Sequence, residues 1–335
     1  MSNEKKSFNW KAITQHRLFL PIVCLLVVLL VNVIKTPNFF AVSIKNGVLY
    51  GYLVDVVNRA SELVIVAIGM TLVTAASGGQ VSTNELMNSM ALAIIAAIIV
   101  AAICGAFNGF LVANLGIQPM VATLILFTAG RGIAQLITKG QITYVRVGSF
   151  KVMGGYIGKC PVPTPIFFAI AAIIIVNLVL KKTALGLYIE SVGINGSASR
   201  LVGLNSTMIK FLTYVICGIL SGIAGIVASS RIYSADANNI GLNLEMDAIL
   251  AVALGGNVLS GGKFSIMGSV IGAYTIQALT TTLYAMNVSA DQLPVYKAVV
   301  VIIIVVIQSP VFRRSVDEWK KKRALKNNKA MEGGH

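Results

Sequence analysis

The polar positions of this chain are spaced so that nine apolar runs stand between them, at residues 18–34, 59–76, 90–115, 117–137, 166–180, 208–230, 248–259, 266–286 and 294–308. Most approach the roughly 17 to 25 residues that carry a helix across a bilayer, and 248–259 is the short exception. Lipid gives the backbone nothing to hydrogen-bond, so open-ended spanning segments are helical. The pattern predicts an all-α polytopic membrane protein, a bundle of about 8 to 10 transmembrane helices. The first run is followed by Lys35-Thr36-Pro37, where a secretory leader would carry small residues for cleavage, so it is read as a span.

Composition agrees with this reading. With 56% hydrophobic and 12% charged residues and a mean hydropathy of +0.82, a soluble fold of this length would lack the polar surface to cover itself. A net charge of +15 would point a soluble protein toward nucleic acid. Here the cations gather at the ends and beside apolar runs, as Lys5, Lys6, Lys11 and Arg17 before the first and Arg313, Arg314, Lys320, Lys321, Lys322, Arg323, Lys326 and Lys329 after the last. Flanking cations stay on the cytoplasmic side and attract anionic lipid, so both termini are expected there and nucleic acid is not expected as a partner. An odd number of crossings cannot place both ends on one side, so one span is miscounted or missing. The expected organisation is a basic amino terminus over 1–17, one transmembrane domain over 18–308 with a cytoplasmic segment at 181–207, and a basic tail over 309–335.

Candidate chemistry changes the picture little. Cys24, Cys104, Cys160 and Cys217 lie far apart with no metal-ligand spacing and read as packing residues. The two histidines, His16 and His335, are in the tails, and no carboxylate pair inside a run has acid-base or metal spacing, so no catalytic residue, metal or cofactor is expected. The stretch from Gly255 to Phe264 resembles a phosphate loop superficially. It carries Asn257 where the first glycine belongs and Phe264 where Ser or Thr is required, so it reads as a glycine-rich membrane turn. Small-residue pairs, Gly218 with Gly222 and Gly268 with Gly272, mark close helix approaches. Gly78-Gly79, Gly255-Gly256 and Gly261-Gly262 mark breaks of the kind that border translocation paths. Few charges lie in or beside runs: Asp55, Arg59, Glu62, Arg131, Lys210, Asp247 and Lys297. Arg131 lies deepest, and polar-cavity and helix-pairing roles both stand open for it. No chain of acidic residues forms a proton relay.

The polar stretch after residue 180 is the most distinctive. Its Lys181, Lys182, Arg200 and Lys210 place it in the cytoplasm, and 196–202 is expected to form a short helix along the membrane with Arg200 free to reach a partner. Gly186, Glu190, Gly193, Asn195, Ala198, Arg200 and Gly203 stand in an order that resembles the coupling segment of ribose/galactose-type permeases of bacterial ATP-binding-cassette importers. The resemblance extends through 68–73, 108–113, 117–124, 235–239 and 244–252. The pattern Ala-Gly-Arg-Gly-x-Ala-Gln-Leu-Ile-Thr at 129–138 is similar to that of the galactofuranose type.

The resemblance implies an inner-membrane permease, itself not an enzyme. Two such subunits would sit on an ATPase with two nucleotide sites, which binds the ATP, and receive a monosaccharide from an extracytoplasmic binding protein. Glu190, Asn195 and Arg200 would contact the ATPase, and Gly186, Gly193 and Gly203 would shape the turns presenting them. Gln80, Asn108, Gln118, Arg131 and Asn239 are candidates to line the path, each with the alternative of an interhelical polar contact. One departure stands out. The family's Gly-Gly-x-Asp-x-Ser-Val-Gly is replaced by Gly78-Gly79-Gln80-Val81-Ser82-Thr83-Asn84-Glu85, and about one span is missing after Gln80. A non-transporting copy and an ion-coupled carrier are the alternative functions. A re-entrant, non-crossing 248–259 is the alternative to the missing span.

Overall fold

The computed structural model describes residues 18–35, 39–45, 48–61, 90–144, 148–157, 160–236 and 239–308. Most of the run 59–76, Gln80 and the departure after it lie outside these residues. The chain divides into two compact units, Met1–Asn287 and Val288–His335.

The first unit begins with α1, Phe19–Lys35. A small antiparallel ladder follows, β1 Ser43–Lys45 with β2 Val48–Tyr50, and then α2 at residues 52–61. Next come α3 Met90–Ala113, α4 Pro119–Thr138, β3 Thr143–Tyr144, α5 Gly148–Gly154 and α6 Thr164–Lys182. The polar interruption supplies α7 Leu185–Ile194 and α8 Gly196–Leu201. Then follow α9 Ser206–Ile232, β4 Ser234–Ala235, α10 Leu244–Leu254 and α11 Ile266–Ala285. The second unit contains α12, Leu293–Gln308. Apart from 59–76, each predicted run overlaps a helix, though 248–259 starts four residues inside α10 and runs past its end into the following turn. Among the described residues, five helices are long and apolar enough to cross a membrane: those at 94–113, 119–138, 164–182, 206–232 and 266–285.

The helices start and stop where their sequences dictate. Pro119 opens α4, where its missing N–H costs nothing, and Asn205 caps α9 by accepting from the Met208 N–H at 3.0 Å. Ser265 caps α11 through the Gly268 N–H at 3.2 Å. Burial then separates the roles of the long helices. The apolar window of α11 is 72% buried and that of α9 50%, against 17% for α4, so α9 and α11 are interior and α4 is peripheral within the chain.

Glycines set the two closest crossings. α3 runs antiparallel to α9, and a β-carbon on Gly105 would lie 2.5 Å from the Tyr214 carbonyl oxygen, one on Gly218 2.4 Å from that of Ala101. α10 runs antiparallel to α11 with the same economy: a β-carbon on Gly272 would lie 2.0 Å from the Ala251 carbonyl oxygen, and one on Gly268 2.3 Å from that of Gly255. Without a hydrophobic force between helices in lipid, this backbone proximity supplies the dispersion contact that holds them. α1 lies parallel to α11. Leu18 approaches Gly268 at one end, and the Asn32 Nδ2 donates to Thr282 Oγ1 at 2.6 Å near the other.

These contacts fix the direction of each crossing. α9 and α11 both start on the face that carries α7 and α8, because Arg200 reaches Ser206 and Gly262 adjoins Ile194. On the far face, the β3–β4 pairing joins the chain after α4 to the chain after α9. The segment between α9 and α11 therefore crosses from the far face to the coupling face. This corrects the re-entrant alternative for 248–259: the run belongs to a crossing, made by an irregular stretch and the 11-residue α10.

Candidate functional site

The segment at 181–207, expected to couple to an ATPase, is built around one short helix. Asn195 leaves the helical region with φ −155° and ψ 98°, and its Oδ1 accepts from the N–H groups of Ser197 (3.1 Å) and Ala198 (3.0 Å), starting α8. Two turns are too few to persist alone, so the other end is closed as well. The Gly203 N–H donates to the Arg200 carbonyl and the Leu204 N–H to that of Ser199, both at 3.0 Å, with Gly203 at φ +85°. This double bond around a left-handed residue is the glycine-closed helix end, and only Gly203 among the three predicted turn glycines performs it. Gly193 lies inside α7 and Gly186 in its first turn, so neither shapes a turn. A β-carbon on Gly186 would lie 2.4 Å from the Leu180 carbonyl oxygen, so its small size seats α7 against the end of α6.

The charged members of the segment differ from expectation in one respect. Glu190 is half-buried on α7, and Ala198 is exposed on α8. Arg200 is exposed, yet it is not free: its Nε donates to Ser206 Oγ at 2.5 Å and its Nη2 to Thr207 Oγ1 at 3.3 Å. Spacing along the sequence did not reveal this tie, because the chain turns back at Gly203 and brings the start of α9 under the guanidinium. Asn195 likewise spends its side-chain oxygen on the cap. The segment therefore presents a shape fastened to α9, with the outward contact left to Ala198, Leu201 and Val202.

The path candidates scatter. Gln80 lies outside the described residues. Gln118 is exposed at the start of α4, with no side-chain cap bond. Asn108 is fully buried on α3, and neither end of its amide has a hydrogen-bond partner. Asn239 is exposed and donates from Nδ2 to Asp236 Oδ2 at 2.7 Å, before the broken crossing. Arg131 is half-buried on α4 with its guanidinium carbon 5.2 Å above the centre of the Phe127 ring.

Around the broken crossing the structure adds residues that the sequence did not single out. Ala251 lies opposite Gly272, so Leu244 lies opposite about Leu279, roughly 9 Å short of the far end of α11. The chain at 239–243 therefore lies within the membrane as irregular turns, with the Ile240 N–H donating to the Asp236 carbonyl, the Leu242 N–H to that of Asn239, and Gly241 at φ +66° and Asn243 at φ +65°. Such backbone survives at this depth only beside protein or a watery cavity. Its first helical turn carries Glu245 and Asp247, and Glu245 lies within electrostatic reach of Arg131. Half-buried Arg131, Glu245 and Asp247, with buried Asp236 and exposed Asn239 in the chain before them, offer donors and acceptors of the kind that hydroxyl groups bind. Glu245 precedes the apolar run 248–259 and so read as loop; the acids before that run, Glu245 and Asp247, were the signal that a helix starts there.

At the other end of α10 the glycine-rich turn is pinned by Asn257. Its Oδ1 accepts from the Ser265 N–H at 2.6 Å, and its Nδ2 donates to Ser269 Oγ at 2.8 Å and to the Ser265 carbonyl at 3.2 Å. A β-carbon on Gly262 would lie 3.6 Å from Ile194 Cγ1, so this turn adjoins the coupling segment.

A family model described as branched-chain amino acid transport system / permease component matches residues 52–308. The galactofuranose transporter permease protein YtfT of Escherichia coli is 42% identical over 322 residues, covering 92% of this chain and 93% of the relative. The fructose import permease protein FruF of Bifidobacterium longum is 37% identical over 335 residues, covering 94% of both chains. The ribose import permease protein RbsC of Escherichia coli is 32% identical over 306 residues, covering 86% of this chain and 92% of the relative. No solved structure matches significantly.

Proposed function

This chain belongs to the family of branched-chain amino acid transport system permease components, and from that premise we propose that it is the membrane-spanning subunit of an ATP-driven importer of a monosaccharide. The observation that carries the reading is that the relatives named for galactofuranose, fructose and ribose match this chain almost end to end. It is a multi-pass inner-membrane transport subunit; ATP hydrolysis belongs to a separate ATPase, and a sugar-binding protein delivers the substrate. Neither the ion-coupled carrier nor the non-transporting copy is favoured by these relatives.

In this reading both termini face the cytoplasm, two permease subunits share one ATPase with two nucleotide sites, and the chain carries no cofactor of its own. Transport domain 18–308 is a lever. The ATPase grips α8 through Ala198 and its neighbours, and Arg200 passes the displacement to the start of α9 through Ser206 and Thr207. The broken crossing is the part that yields, since left-handed Gly241 and Asn243 interrupt its helix before Leu244. Sugar hydroxyls exchange there among Asp236, Asn239 and Glu245, with Arg131 countering the acid. ATP-driven closure favours one of two orientations of the bundle, a population shift set by differential binding of the ATPase.

Affinity purification of the chain from its native membrane in mild detergent tests the assembly. Recovery of a two-site ATPase is expected. A well-folded chain recovered without any ATPase contradicts it.

A further inference from the structure

The turn at residues 255–265 has properties that a simple helix connection does not need. It is rigid: Gly256, Gly261 and Gly262 take φ of +79°, +98° and +102°, the Gly261 N–H donates to the Val258 carbonyl at 3.1 Å, and Asn257 ties the turn to Ser265 and Ser269. At its tip Val258 is 58% exposed and Leu259 42%, beside exposed Ser260 and Lys263. Irregular backbone with a lysine does not sit in hydrocarbon, so the tip stands at or beyond the membrane surface, where two exposed aliphatic side chains need a reason.

The coupling segment supplies one. Leu201 is 90% exposed, Val202 76% and Ile194 64%, all on the same face, and Gly262 is in contact range of Ile194. The two exposed apolar surfaces therefore belong to adjoining segments, with exposed Lys181, Lys182, Arg200 and Lys263 in the same two segments. An apolar centre with a charged surround is the anatomy of a protein interface. We infer that the turn at 255–265 is a second docking element for the ATPase, which grips Val258 and Leu259 together with the coupling segment. This inference rests on the proposed coupling role of α8. Its occupant follows from adjacency: a partner broad enough to cover Leu201 and Ile194 meets Val258 next. The consequence is mechanical, since the turn is the coupling-face end of the α10–α11 pair, whose other end carries Glu245. The ATPase then moves α9 and the broken crossing together.

A photo-reactive benzophenone amino acid placed singly at Val258, Leu259, Ala198 and, as a far-face control, Tyr144 tests this in membranes containing the complete importer. Crosslinks to the ATPase are expected from 258, 259 and 198 and not from 144. Leu259→Asp is expected to weaken retention of the ATPase on the purified permease about tenfold. An ATPase crosslink from 198 with none from 258 or 259 overturns the inference and leaves the coupling role standing, as does a crosslink from 258 and 259 to lipid or a second permease alone. Crosslinks from 258 and 259 without one from 198 remove the role of α8 and overturn the inference as stated, because the turn would then dock alone. No ATPase crosslink from any position overturns both.

Discussion

Arg200 and Asn108 illustrate opposite uses of a polar side chain. Arg200 binds two hydroxyls of α9, and hydrogen bonds to a charged group contribute about 1.5–3 kcal/mol each way they are cut. Arg200→Glu should leave the bundle folded and reduce ATP-driven uptake by roughly tenfold or more. Arg200→Lys, with charge but no planar fork, should fall between. Uptake and ATPase activity measured together check both, and coupling retained in the Glu variant removes Arg200 from the lever. Asn108 has a fully buried amide without a partner, a cost of about 1–3 kcal/mol. A transporter retains such a group when another conformation satisfies it. Asn108→Leu is therefore expected to raise the melting temperature and slow uptake; unchanged uptake in the stabilised variant would make the amide a packing residue.

Helices pack here through missing side chains, and that gives a graded prediction. Gly272→Leu must force α10 from α11, because even a β-carbon would lie 2.0 Å from the Ala251 carbonyl oxygen. It should abolish stable expression, read by fluorescence-detected size exclusion. Gly225, on the open side of α9 with nothing within 4 Å, is the control. Gly225→Ala should be neutral or stabilising by about 0.5–1 kcal/mol, since alanine restricts the unfolded chain. Loss of the protein in both variants would show that glycine content, and not contact geometry, is what the bundle needs. Apolar length, a local signal, located the long helices, and the short helix expected at 196–202 is α8. Apolar length did not locate α7 within the polar stretch 181–207. It also placed α10 four residues late, since Leu244 and Glu245 read as loop when the depth at which the chain re-enters helix is set by α11.

For the whole molecule, the pattern of apolar runs and basic ends was enough for the class, and the resemblance at 186–203 and 244–252 for the family. The site was legible only in part. Gly203 shapes a turn as expected, whereas Asn195 and Arg200 are tied up in local contacts that spacing alone did not show, and Glu245 takes its place from a helix distant in sequence. The central claim, that this subunit converts ATPase closure into movement of a monosaccharide, is tested most directly by transport in proteoliposomes containing the permease, its ATPase and its binding protein. With ATP supplied on the ATPase side, labelled sugar should cross only while ATP is hydrolysed, and uptake should persist when ionophores collapse ion gradients. Uptake driven by an ion gradient without ATP, or steady hydrolysis without uptake, would contradict it.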